Sequence, residues 1–174
     1  MASKAVAELI ARTYFDSAGI AAVVVRLDNI YGGGDFNWNR LVPSMMRVIL
    51  HGELPVIRSN GLLQRDYVYV EDAVAAFLAI GERMDKPEVQ GQLFRVTTGT
   101  GTSVLDIVKQ IACLAGRPDL EPQVLNEKSE DRVDTFYTPE LELRVLGWSS
   151  QTSLAEGLSR TCQWYQDYFR KKQV

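Results

Sequence analysis

One stretch constrains the fold of this chain more than any other: AAVVVRL, at residues 21–27. A short, continuous apolar run of this kind suits a strand buried on both faces, as in a parallel sheet. Residues 3–18, just before it, read as a helix. Ser3 is placed to cap it, Glu8 and Arg12 are spaced as a helical ion pair, and Gly19 ends it. Its apolar stripe is Val6, Leu9, Ile10 and Tyr14.

The same alternation of helix and strand continues along the chain. LVPSMMRVIL carries Pro43 in its first turn and closes at Gly52. QRDYVYV alternates, with Arg65, Tyr67 and Tyr69 facing one way and Asp66, Val68 and Val70 the other. Asp72 can cap or charge-stabilise the helix AVAAFLAI. QLFRVTT reads as another strand. Ser103 and Asp106 open a helix in the manner of a capping box, and it stops at Gly116 with Pro118 beyond. EPQVLN fits a short strand. A last helix carries Leu154, Leu158, Cys162, Tyr165 and Phe169 on one stripe. This order predicts an α/β protein. With 174 residues and 46% hydrophobic content, one domain can bury a substantial core.

Composition removes several classes of function. A formal net charge of −3 argues against nucleic-acid binding, which needs a basic face. Two cysteines, Cys113 and Cys162, are too few for a disulfide scaffold and too far apart for a metal pair; both fall in apparent helices and read as buried thiols. His51, the only histidine, reads as a solvated residue at a helix end, so no metal site is expected. No apolar run is long enough to span a bilayer and no signal peptide is visible, which predicts a cytoplasmic protein.

Ligands of open α/β sheets bind outside the carboxyl ends of the strands, here at the loop NIYGGGDFNWNR. That loop is either a binding loop, its glycines admitting a ligand to the backbone and Asn29 and Arg40 flanking it, or a flexible surface loop. Gly32, Gly33 and Gly34 are not a dinucleotide fingerprint: no helix begins there and no acidic residue follows at the required distance.

Several segments, taken in order, resemble a known family. SKAVAE, RLDNIYGGGDFNWNRLVP, PVIRSNGLLQRDYVYVEDAVAAFL, SVLDIVKQI, GRPDLEPQVLNE, LGW and SLAEGLSRTCQWY resemble the C-terminal half of extended short-chain dehydrogenases of the NAD-dependent epimerase/dehydratase family, nearest to the CDP-glucose 4,6-dehydratase group. The resemblance implies the C-terminal part of a Rossmann-type fold: the last sheet strands plus a small α/β substrate-binding lobe. Residues 1–174 would form one substrate-binding domain, with 1–30 and about 70–98 derived from the edge of the coenzyme domain.

Site residues follow from the same resemblance. In the family a tyrosine stands four residues before a lysine that holds the nicotinamide ribose and lowers the tyrosine pKa. An ammonium stabilises a phenolate, which then takes a proton from a sugar hydroxyl. The lysine here is Lys4, as catalytic and cofactor-binding residue, and the tyrosine would precede Met1 along with the glycine fingerprint. Asn29 and Arg65 would contact the diphosphate of a nucleotide sugar, and Arg40 and Leu41 would lie along the nucleotide. A guanidinium can fork onto phosphate oxygens. For Arg65 the competing reading is a local ion pair with Asp66 or Asp72, and for Arg40 a solvated side chain. Arg95 stands where the family has an asparagine that helps hold the nucleotide. DRVDTFY also departs from the family pattern, with Arg132 its only basic candidate.

The expected function is therefore the substrate-binding half of an NAD-dependent nucleotide-sugar dehydratase or epimerase, a lyase or isomerase. NAD is the cofactor of the full-length family, and neither NAD binding nor turnover is expected of this chain by itself. The alternative is a non-catalytic nucleotide-sugar-binding or protein-interaction remnant. A homo-oligomer or a companion chain is expected to cover the helix 3–18 surface.

Overall fold

A computed structural model describes residues 2–127 and 136–172. Among these residues, six helices and eight short strands alternate. Helix α1 (Ala2–Ala18) leads into β1 (Val24–Leu27), and β2 (Asn29–Tyr31) follows at once. After the glycine loop come α2 (Leu41–Leu50), β3 (Val56–Ile57), β4 (Gln64–Arg65), β5 (Tyr67–Tyr69) and α3 (Val70–Gly81). Then follow β6 (Leu93–Val96), β7 (Thr102–Ser103), α4 (Val104–Leu114), β8 (Gln123–Val124), α5 (Glu140–Leu146) and α6 (Leu154–Lys172).

The strands pair two by two. β1 runs parallel to β6 with Val24 opposite Leu93, β2 parallel to β5 with Asn29 opposite Tyr67, and β3 parallel to β8. Only β4 and β7 are antiparallel. QRDYVYV is thus two strands with different partners. The alternation holds through Tyr69, but Val70, expected on the side of Val68, opens α3 and packs with the cluster of Tyr67 and Tyr69. Tyr67 and Tyr69 enter a core built with α2, α4 and α6, whereas Val68 enters a second core with α3, β6, Leu146 and Trp148. Parallel strands need cover on both faces, and these two clusters supply it.

Several local expectations are corrected by tertiary partners. Ser3 lies inside α1. Glu8 does not pair with Arg12 but with Arg26 of β1, at 2.6 and 2.8 Å, which holds its carboxyl below the usual carboxylate range. Arg12 instead lies 4.0 Å from Asp16. AAVVVRL is only half-buried, because α1 covers it along one face and Leu27 is open to solvent. Cys162 is buried, but Cys113 is exposed on the outer face of α4. His51 caps α2 in the open, edge-on to Phe169 at 4.7 Å. Asp72 sits inside the first turn of α3, and its carboxylate accepts from the Ser150 hydroxyl and the Thr152 N–H, both at 2.9 Å. Its carbonyl takes the Trp148 indole N–H at 3.0 Å, so Asp72 ties the last segment to the second core. Ser103 does cap α4: its hydroxyl accepts from the Asp106 N–H at 3.0 Å and donates to the Asp106 carboxylate at 2.6 Å.

Two further contacts shape the molecule. Glu142 of α5 is buried, and its carboxylate accepts the backbone N–H of Arg95, which points out from the free margin of β6. The Arg95 guanidinium lies 3.7 Å from the centre of the Tyr137 ring. On the other core, Gly157 lets α6 settle onto β2 and β5. A methyl there would come to 2.9 Å from Tyr31 Cζ and 3.1 Å from Tyr69 Cδ2, and closer still to the Tyr31 hydroxyl. Gly157→Ala should therefore lower the urea midpoint. Overpacking that costs about 1–3 kcal/mol outweighs the ~1 kcal/mol of helix propensity that alanine returns. An unchanged or higher midpoint would mean that α6 shifts freely.

Candidate functional site

Elements α1, β1, β2, α2, β4, β5 and α4 converge on one cleft of about 530 Å³. The first turn of α1 brings Lys4 to its edge. The end of β1 and the start of β2 supply Leu27, Asp28, Asn29 and Tyr31, while Arg40 and Leu41 stand where α2 begins. β4 and β5 contribute Arg65 and Tyr67. The sequence-predicted residues Lys4, Asn29, Arg40, Leu41 and Arg65 all line this single cleft, although they come from α1, the start of α2 and two strands, β2 and β4. Arg132 lies outside the described residues.

Charge in the cleft is opposite to that of the whole chain. Three cationic side chains, Lys4, Arg40 and Arg65, share it with Asp28, and the N-terminus of α2 adds the partial positive charge of its unsatisfied N–H groups. The carboxylates offered above as ion-pair partners of Arg65 are engaged by other donors. Asp66 accepts from Thr97 Oγ1 at 2.6 Å, Thr98 N at 3.0 Å, Thr98 Oγ1 at 2.7 Å and Gly99 N at 2.7 Å; Asp72 holds Ser150 and Thr152. The Asn29 side-chain amide donates to the Asp66 carbonyl at 2.8 Å, which fixes its plane in the cleft wall. Arg40 forms an ion pair with Asp35 through Nη1 at 3.2 Å.

Burial pushes the Tyr31 phenol well above its ordinary range, with Tyr69 and Asp72 adding to the shift, so Tyr31 is a neutral donor to the Leu154 carbonyl. Asp28, Tyr31, Asp35, Asp66 and Tyr67 were not anticipated as site residues. RLDN and QRDY did mark the neighbourhood, but no spacing rule links Asp35 to Arg40's guanidinium or Asp66 to the loop at 97–99. Among the described residues, no group of three or more His, Cys, Asp or Glu side chains could hold a metal ion. No helix among them is long and apolar enough to cross a membrane.

A cationic cleft with a helix N-terminus on one wall is built for an anionic ligand. A sequence profile of the NAD dependent epimerase/dehydratase family matches residues 1–93, the part that carries all five cleft residues predicted above. The chain belongs to this family. Its curated relatives include the dTDP-D-glucose 4,6-dehydratase of Bos taurus, 28% identical over 172 residues, covering 96% of this chain and 47% of that protein. A trifunctional UDP-glucose 4,6-dehydratase/3,5-epimerase/reductase of Arabidopsis thaliana is 30% identical over 166 residues, covering 94% of this chain and 24% of that protein. Among solved structures, the UDP-glucose 4-epimerase of Thermotoga maritima with UDP-glucose superposes with a TM-score of 0.83 at 27% identity, over 93% of this chain and 51% of that one. The family's extended α/β fold is therefore present, and this chain spans about half the length, or less, of the relatives it matches.

Proposed function

We propose that this chain is the substrate-binding half of an NAD-dependent nucleotide-sugar 4,6-dehydratase or epimerase, with a nucleoside-diphosphate sugar in the cleft between α1, β2, α2 and β4. The observation that carries this reading is the convergence of Lys4, Asn29, Arg40 and Arg65 on one cavity. Arg65 and Asn29 hold the diphosphate, Arg40 and Leu41 lie along the nucleotide, and CDP-glucose is the first sugar nucleotide to try. Residues 1–30 and about 70–98 form the coenzyme-domain edge, a role supported by the parallel β1–β6 pair and the helix on each of its faces.

Of the groups that the family resemblance assigns to NAD, the described residues supply Lys4 alone. Lys4 would hold the nicotinamide ribose of NAD, which would supply reversible hydride transfer to the sugar. What this chain contributes is electrostatic: the Lys4 ammonium stabilises negative charge developing on a sugar oxygen or on a neighbouring phenolate. The arginines neutralise the diphosphate, and the cleft walls orient the sugar toward Lys4. Calorimetric titration with CDP-, UDP- and dTDP-glucose tests the reading. Saturable binding that the parent nucleosides do not reproduce is expected. Equal affinity for a nucleoside and its diphosphate sugar would overturn it.

The same half-molecule is expected to pair with a second copy, or with another chain, across α1. Val6, Leu9, Ile10 and Tyr14 are 52%, 66%, 51% and 55% exposed and form one apolar stripe on α1, the kind of contiguous face that a second chain covers. Light scattering coupled to size exclusion should find a species larger than 19.5 kDa at micromolar concentration, converted to monomer by Ile10→Glu. A clean monomer before the substitution would refute the surface.

A further inference from the structure

The glycine loop between β2 and α2 is held from outside the cleft by a helix more than a hundred residues away in sequence. Tyr165 of α6 is fully buried, and its hydroxyl donates to the Asp35 carbonyl. Burial, and then the Asp35 charge, push that phenol up to about 12, so it remains a protonated donor. The Trp164 ring lies directly over Gly33, where even a methyl group would collide with it, and Phe36 packs on Trp164 and Tyr168 at 5.8 and 5.0 Å. Asp35 then works in both directions along the loop. Its Oδ1 accepts the Asn37 N–H at 2.9 Å, and its Oδ2 takes Arg40 Nη1 at 3.2 Å. The Arg40 backbone is fixed as well, donating to the Asn37 carbonyl at 2.9 Å and accepting from Ser44 N at 3.1 Å.

We infer that Tyr165 and Asp35 are positioning residues that hold the Arg40 guanidinium over the cleft for the phosphate groups of a nucleoside diphosphate. This rests on the nucleotide-sugar reading above. The ion pair uses Nη1 alone, and no described residue bonds Arg40 Nε or Nη2. A guanidinium fixed along one edge keeps its other edge for a forked contact to phosphate oxygens. Holding a long, exposed side chain in place before the ligand arrives also removes part of the ordering cost of binding. Asp35 is thus a support for Arg40, not a competitor that the ligand must displace.

Two measurements on the chain test this, one of them without ligand. The first is ¹⁵N relaxation of the Arg40 Nε–Hε group. It should be ordered in the unmodified protein and mobile in both Tyr165→Phe and Asp35→Asn; equal mobility in all three would overturn the inference whether or not a nucleotide binds. The second is calorimetric titration with UDP. Tyr165→Phe should weaken binding about three- to tenfold, the range of one lost neutral hydrogen bond. In an Arg40→Ala background the same substitution should have no further effect, because Tyr165 acts through Arg40. Additive losses in the double variant, or tighter UDP binding by Asp35→Asn, would also overturn it. Tyr165→Phe keeps the buried ring, and an unchanged thermal midpoint for Asp35→Asn controls for folding. If UDP fails to bind the unmodified chain, the nucleotide-sugar reading falls, and the relaxation data still decide the link from α6 to Arg40.

Discussion

Asp66→Ala should cost several kcal/mol of unfolding free energy, since each buried donor left without its acceptor costs about 1–3 kcal/mol. Asp66 is 4% exposed, and its carboxylate accepts from two backbone N–H groups and two threonine hydroxyls at residues 97–99. None of these four donors is a lysine or an arginine; the carboxylate is met by hydrogen-bond donors converging from one turn. Alanine would leave the buried Thr97 hydroxyl and the Thr98 N–H without their acceptor and leave Gly99 N only its long contact to Thr97 Oγ1. Domains of this size hold only about 5–15 kcal/mol in total, so the variant should sit close to its unfolding transition at room temperature. Asp66→Asn keeps one acceptor oxygen and should lose about half as much. Urea denaturation of the three proteins measures both steps. A midpoint for Asp66→Ala within error of the unmodified chain would mean that the loop at 97–99 finds other acceptors. The effect reaches the cleft, because Asp66 lies between Arg65 and Tyr67 and its carbonyl orients Asn29.

Arg65→Ala should weaken the binding of a nucleoside-diphosphate sugar by about one to two orders of magnitude, since one charge-assisted contact contributes roughly 1.5–3 kcal/mol. This expectation depends on the proposed ligand, and its control is internal. Affinity for the parent nucleoside should not change, and the loss should shrink as salt is added. Arg65→Lys keeps the charge and gives up the fork, so it should fall between the two. Identical titration curves for Arg65→Ala and the unmodified protein would remove Arg65 from the site.

What could be read from the sequence was governed by distance along the chain. Helices α2, α4 and α6 follow from periodicity and caps within a few residues, and Ser103–Asp106 forms the predicted cap. AAVVVRL gave the parallel strand correctly but not its half-exposure, which depends on how far α1 extends over it. Glu8 had a helical neighbour at the right spacing, yet Arg26 on the adjacent strand offers two hydrogen bonds in place of one exposed ion pair. α5 was missed because its first turn follows Pro139 with no side-chain cap, and what holds it is tertiary: buried Glu142 and Leu146, with Leu141 and Val145 packed on the second core. In the cleft, family resemblance supplied five residues that one cavity unites. The supports of those residues were not legible. Asp66 meets a turn thirty residues on, and Tyr165 meets Asp35 across most of the chain, so neither leaves a local pattern.

The carboxylate of Glu142, set against the outer N–H of Arg95, gives the β1–β6 pair a direction. One margin is chemically closed by a charged acceptor that a visiting strand would have to displace into a buried space. Among the described residues the other margin, along β1, has no strand beside it. Two copies joined through β1 would each present only a sealed side to a third. Growth through this strand pair would then stop at two, where a pair with two open margins could continue.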